Sequence, residues 1–190
     1  VLVIDRSGSM DDDGLDPPQP LTNVKNAART FVEELGEHDR VGVVSFATVA
    51  SEPVDAALTY NKTTARQAIE GITIGTGGIQ HTNIADGLLQ ARRVLSGGRA
   101  TSTARHALVV LTDGVATHPQ RDGDPDYAET YAIDVAQALS SQGIQVYAIG
   151  LGENVDRAFL EAVGTTGEHV YRTPTSERLA SIYADIADSI

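Results

Sequence analysis

The chain opens on Val1-Leu2-Val3-Ile4, which runs straight into Asp5-Arg6-Ser7-Gly8-Ser9-Met10. Four apolar residues in a row, three of them β-branched, predict a strand covered on both faces, as in the middle of a parallel sheet. The run stops at a carboxylate, two hydroxyls two positions apart, and a glycine. A hard cation such as Mg²⁺ takes oxygen ligands in a near-octahedral shell and keeps several of its waters. Asp5 offers charge, Ser7 and Ser9 offer neutral oxygens, and Gly8 is expected to tighten the turn so that both hydroxyls face one point. Asp and Ser behind a strand also serve as turn and helix-cap residues. These ten residues alone leave both readings open, and the remaining strands decide between them.

Residues 11–20 hold four aspartates and three prolines, Asp11-Asp12-Asp13-Gly14-Leu15-Asp16-Pro17-Pro18-Gln19-Pro20, and predict a loop. Leu21, Val24, Ala28, Phe31, Val32 and Leu35 then recur at helical spacing, with Gly36 to close the helix. Val41–Phe46 is a second buried strand, and residues 48–58 read as a shorter, more polar strand at the sheet edge. Thr63 or Thr64 caps a short helix through Ile69, followed by a glycine-rich loop over 75–83 that contains Thr82. A helix grows from that loop with Ile84, Leu88, Ala91 and Leu95 on one face and Gly97-Gly98 at its end. Ala107–Thr112 is a buried strand that stops at Asp113-Gly114. An acidic loop, 115–126, leads to a helix carrying Tyr131, Val135, Ala138 and Leu139. A strand at Ile144–Gly150, a short helix (155–163), a short strand (168–172) and a last helix (176–189) complete the pattern.

Buried strands alternating with helices imply one α/β domain, doubly wound, whose mostly parallel sheet is covered on both faces. In such sheets ligands bind at the carboxyl ends of the strands, near the switch in strand order. Asp5 and Asp113 both fall at such ends, and Thr82 falls just before a helix N-terminus.

A length of 190 residues suits a single domain with a substantial core. Because the chain begins inside a strand with no signal peptide ahead of it, the expectation is a domain excised from a longer protein. The net charge of −12 argues against nucleic acid and against anionic membrane surfaces, and suits cation binding. With no cysteine, thiolate metal sites, disulfides and thiol catalysis are excluded. No apolar run reaches the roughly 18 residues of a membrane-spanning helix, so no direct membrane insertion is expected.

Taken together, Asp5-x-Ser7-x-Ser9, the isolated Thr82 in Thr82-Asn83-Ile84-Ala85-Asp86-Gly87-Leu88, and Asp113 in Leu111-Thr112-Asp113-Gly114 resemble the von Willebrand factor type A family over nearly the whole chain. The resemblance implies six strands in the order 3-2-1-4-5-6 with strand 3 antiparallel. It also implies that Asp5, Ser7, Ser9, Thr82 and Asp113 form a metal-ion-dependent adhesion site. There a divalent cation (Mg²⁺, with Mn²⁺ and Ca²⁺ as alternatives) is held partly through water. Its open position takes an Asp or Glu carboxylate from a protein partner. The Asp39–Phe46 and Tyr147–Gly152 stretches are similar to bacterial surface or pilus-associated members, which implies an extracellular or cell-surface location.

Two features depart from the family pattern. Gln80-His81 separate Gly77-Gly78 from Thr82, so His81 either lies on the metal face or is a plain loop histidine. Acidic residues also follow two metal strands, Asp11, Asp12, Asp13 and Asp16 after the first and Asp122, Asp124 and Asp126 after the Asp113 strand. They form a rim that is either solvated or binds a second cation, though neither loop has the spacing of a calcium-binding EF-hand.

Three functions compete. The first is a metal-dependent adhesion module without chemistry. The second is a metal-assisted hydrolase, which would want an acid–base partner beside Asp5 where Ser7 stands. Ser7 and Ser9 also lack a Gly-x-Ser-x-Gly elbow, and 75–78 lacks the Lys-Ser/Thr of a phosphate loop. The third is a scaffold domain in which the metal only locks the loops.

Overall fold

The computed structural model describes residues 1–11, 20–97, 104–151, 155–173 and 176–189. Asp12, Asp13 and Asp16 of the expected rim, and Gly98, lie outside these residues. The strands are β1 (Leu2–Asp5), β2 (Val41–Phe46), β3 (Ala56–Thr59), β4 (His106–Thr112), β5 (Ile144–Leu151) and β6 (Val170–Thr173). The helices are α1 (Pro20–Glu34), α2 (Lys62–Gly71), α3 (Ile84–Ser96), α4 (Tyr127–Ser141), α5 (Arg157–Val163) and α6 (Ser176–Ser189). The sheet runs β3-β2-β1-β4-β5-β6, with every neighbouring pair parallel except β2–β3. Strand order and the antiparallel third strand agree with the expectation.

Side-chain alternation divides the core in two. Leu2, Ile4, Val41, Val43, Val109, Leu111, Tyr147 and Ile149 point toward α1, α2 and α6. Val3, Val44, Phe46, Leu108, Val110, Val146 and Ala148 point toward α3, α4 and α5. On the first side the Phe31 and Tyr183 rings meet 5.1 Å apart, joining α1 to α6. Lysines close two helix ends there: Lys25 Nζ donates to the Glu70 and Ile72 carbonyls at the end of α2, and Lys62 Nζ to those of Glu33 and Leu35 at the end of α1. Cations at helix C-termini satisfy orphan carbonyls and complement the helix dipole.

Five sequence readings need correction. The strand expected over 48–58 is instead Ala56–Thr59. Ahead of it Asp55 Oδ2 takes the Ser45 N–H (2.6 Å) and the Ser51 hydroxyl (2.7 Å), and Pro53 has no N–H to add to a ladder. Ala138 is exposed; the buried stripe of α4 is Ala128, Ala132, Val135, Ala136 and Leu139, while Tyr131 is half-buried and stacks on Tyr127 at 5.7 Å. Asn61, not Thr63 or Thr64, caps α2, its side chain accepting the Thr64 N–H at 3.2 Å. A 3₁₀ turn over Gly8–Met10 also seats the Met10 side chain in the core. A second one, Gly167–His169, occupies the start of the expected strand at 168.

Candidate metal centre

The same alternation that builds the core aims the first candidate ligand. Asp5 has the parity of Val3, so its side chain leaves β1 on the α3 side of the sheet. Ile4 pairs with Leu111, which brings Asp5 beside Thr112 on the neighbouring strand, also facing that side. Both are buried. Thr112 Oγ1 donates to Asp5 Oδ2 at 2.6 Å, and the Ser7 N–H donates to Asp5 Oδ1 at 2.8 Å. Each carboxylate oxygen thus has one protein donor and keeps lone-pair capacity for another partner.

The chain then carries its hydroxyls back across the sheet end. Ser7 is buried and Ser9 exposed. Their Oγ atoms lie 3.2 Å apart, and Ser9 Oγ donates to Asp113 Oδ1 at 2.8 Å. Asp5, Ser7, Ser9 and Asp113 therefore form one polar cluster over the ends of β1 and β4. The role expected of Gly8 changes here, because its φ is not positive. Gly8 ties the turn to the 75–83 loop, its N–H bonding the Gln80 carbonyl at 3.0 Å, and an added Cβ would make only an ordinary van der Waals contact with Gln80.

Thr82 is buried, and its backbone is tied to the loop that follows Asp113. Its N–H donates to Thr117 Oγ1 (2.9 Å), and its carbonyl accepts from the N–H groups of Thr117 (2.9 Å) and His118 (3.2 Å). Gly75 N–H bonds the Arg6 carbonyl at 2.7 Å. The 75–83 loop is thus fastened both to the loop that holds Ser7 and Ser9 and to the loop that follows Asp113. Asn83 completes the arrangement by capping α3, its side chain accepting from the Asp86 N–H.

Burial sets the electrostatics. Desolvation pushes the Asp5 carboxyl up to about 7, with the Asp113 charge adding to the rise and the Thr112 and Ser7 donors opposing it. Asp113 is also raised, again chiefly by burial, against the Ser9 hydrogen bond. Two carboxyls that resist ionising, beside neutral oxygens, make a site that a cation would complete.

The rim is less uniform than expected. His81 is exposed and stacks on His118 with centroids 5.7 Å apart. Asp11 is exposed immediately after the Gly8–Met10 turn. The tip of the acidic loop folds back toward α4: Arg121 pairs with Asp124 through the backbone and sits 3.7 Å over the Tyr127 ring. Asp122 and Asp126 are exposed and Asp124 half-buried. Among the described residues no group of three or more His, Asp or Glu gathers into an arrangement that could hold a metal ion. The central cluster has only two carboxylates, and the acidic tip is not drawn into a second cage.

Thr112 is the residue the sequence reading missed. Its signal was a hydroxyl at the end of an apolar run, which strand propensity alone accounts for.

A model of the von Willebrand factor type A domain matches residues 1–185, and the chain belongs to that family. An uncharacterized protein of Synechocystis is 28% identical over 167 residues, covering 88% of this chain and 35% of its own length. The chain spans between 35% and 59% of the curated relatives it matches. The von Willebrand domain of the type V pilus tip protein Mfa5 from Porphyromonas gingivalis superposes with a TM-score of 0.79 at 18% identity, over 99% of this chain and 93% of that one. Proximal thread matrix protein 1 from the mussel byssus, with zinc in its metal-ion-dependent adhesion site, gives a TM-score of 0.74 at 23% identity over 99% of this chain and 44% of that one. These likenesses show the fold. Among the described residues no helix is long and apolar enough to cross a membrane.

Proposed function

We propose that this domain binds a protein partner through a divalent cation held by Asp5, Ser7, Ser9, Thr82 and Asp113, and performs no chemistry of its own. The observation that carries the reading is the donor set. Two carboxylates and two serine hydroxyls lie together at the end of the sheet, with Ser7 Oγ beside Ser9 Oγ and Ser9 Oγ on Asp113 Oδ1, and the loop that carries Thr82 is tied to the loops on either side. Two carboxylates only balance a divalent ion, and where they act through water they leave it hungry for a further anion. A cage of four carboxylates would need none.

The donor set, carboxylates and hydroxyls with no nitrogen or sulfur, suits a hard cation, Mg²⁺ with Mn²⁺ and Ca²⁺ as alternatives. The fold is shared with a pilus tip protein and a byssus matrix protein, which supports an extracellular or cell-surface setting; the partner's Asp or Glu carboxylate is the anion the under-neutralised cation would take.

The cation would supply charge and an open coordination position. The protein's own residues orient it: Thr112 and the Ser7 N–H fix Asp5, and Ser9 fixes Asp113. A hydrolase would need a second acid or base beside Asp5, and the groups that bond Asp5 are the Thr112 hydroxyl and the Ser7 N–H, neither of which serves as one at neutral pH. The test is retention of carboxylate-bearing peptides on immobilised domain in Mg²⁺ and in EDTA, with p-nitrophenyl phosphate turnover measured on the same samples. Retention that requires Mg²⁺ and Asp113, with no turnover beyond that of Asp5→Ala, is expected. Turnover abolished by Asp5→Ala would favour the hydrolase.

A further inference from the structure

We propose that the β2 side of the metal rim is an apolar contact surface centred on Val49 and Ile79, and that it selects partners whose metal-binding Asp or Glu has an aliphatic or aromatic residue one or two positions away. The inference rests on the metal-dependent binding argued above and specifies the partner of that site.

Among the described residues three large hydrophobic side chains are well exposed: Val49 (52%), Ile79 (41%) and Tyr60. Tyr60 belongs to the other end of the sheet. It follows Thr59, which pairs antiparallel with Val41 at the start of β2, and it lies against the Arg40 guanidinium. Val49 and Ile79 are together at the metal end. Thr48 Oγ1 donates to the Gly78 carbonyl and accepts the His81 N–H, both at 3.2 Å, and the exposed pair are the next residues along each loop.

Backbone bonds fix this surface beside the candidate ligands. Gln80, next to Ile79, accepts from Gly8 between Ser7 and Ser9, and the Asn83 N–H bonds the Ala47 carbonyl at 2.9 Å. Gly75 lets the loop fold on itself, since a Cβ there would stand 2.0 Å from the Ile79 carbonyl oxygen. Two apolar side chains held out on loops tied this tightly are not there for want of a core to enter.

Charge sharpens the case. In a chain of net charge −12, residues 47–51 and 75–82 contain no Asp, Glu, Lys or Arg. The neighbouring acids are Glu52, Asp55 and Asp86; Asp55 Oδ2 takes the Ser51 hydroxyl and Asp86 Oδ2 the Ala50 N–H, both at 2.7 Å, and beside the 75–82 loop stands a cation, Arg6, whose carbonyl accepts the Gly75 N–H. On the opposite side of the metal end, burial and the neighbouring Asp156 and Asp126 raise Glu129, which marks that side as acidic. A partner carboxylate meets less repulsion over the β2 side. Along an extended segment the next residues advance about 3.3 Å each, so a side chain one or two positions from the carboxylate falls over the adjoining surface.

The experiment is selection of random displayed heptapeptides on the domain in Mg²⁺ with elution by EDTA, run in parallel on the double variant Val49→Ser, Ile79→Ser and on Asp113→Ala. Both serine changes are on exposed side chains, and unchanged thermal melting checks the fold. The expected pool from the unaltered domain is rich in Asp or Glu with an apolar residue within two positions. Individual peptides from it should lose roughly tenfold in affinity for the double variant, the order expected for apolar contacts of this size, while remaining EDTA-sensitive. Acidic peptides without an apolar neighbour, or affinities equal on the double variant, would overturn this surface and leave the metal reading standing. A pool that EDTA does not release, or that Asp113→Ala still enriches, would overturn the metal reading and this inference with it.

Discussion

Asp5 couples the stability of the domain to pH in a direction opposite to that of an ordinary paired carboxylate. Its carboxyl titrates near 7 in the metal-free fold and near its ordinary value of 3.8 when unfolded. A folded-state value above the unfolded one means stability fully present below about pH 4 and lost as pH rises through 7. The full loss is about 4 kcal/mol, and the portion falling between pH 5 and pH 8 is about 2.5 kcal/mol. Urea unfolding in EDTA at these two pH values measures it, with Asp5→Asn as the reference that removes this group and keeps the rest. The unaltered domain should lose about 2.5 kcal/mol more than Asp5→Asn on going to pH 8. Cation competes with the proton, so saturating Mg²⁺ should restore most of that loss at pH 8. At pH 5 its apparent affinity should fall about a hundredfold. Identical pH slopes for the two proteins, or a Mg²⁺ effect as large at pH 5 as at pH 8, would refute the placement of Asp5 as a buried, cation-completed acid.

Three further outcomes follow from the same geometry. Asp5→Ala and Asp113→Ala should each abolish calorimetric Mg²⁺ or Mn²⁺ binding while the domain stays folded, because both act at strand ends and leave the apolar strands intact. Thr112→Val keeps the side-chain shape and removes the donor to Asp5 Oδ2; Mg²⁺ affinity at pH 7 should drop about tenfold and recover as pH is raised, since a lost charge-assisted bond shifts the carboxyl by about one unit or more. Chelation from a hundredfold excess over Kd should remove about 3 kcal/mol and lower Tm by roughly 5–10 °C, a partial effect that a scaffold built around its metal would exceed.

The sheet was legible because its strands are apolar runs with no competing signal, and Asp5 and Asp113 were legible because they end such runs. Thr112 was hidden by the same logic: a β-branched residue closing Leu108-Val109-Val110-Leu111 looks like strand, and only the β1–β4 register turns its hydroxyl onto Asp5. Residues 48–55 misled because Asp55 and Ser51 satisfy Ser45 with side chains, a substitution that periodicity does not record. Ala138 was placed on a buried face where Ala136 belongs, since alanine fits either side of a helix. Val49 and Ile79 carried no readable function, because an apolar loop residue looks the same in sequence whether it enters the core or faces a partner.

The central claim is that five residues from three loops hold one divalent ion with a position left open. Crystals grown in MnCl₂ and measured across the manganese edge test it most directly. One anomalous peak is predicted within about 2–2.3 Å of Ser7 Oγ and Ser9 Oγ, with Asp5, Thr82 and Asp113 around it directly or through water. No peak at saturating Mn²⁺, or a peak elsewhere on the domain, would contradict the account.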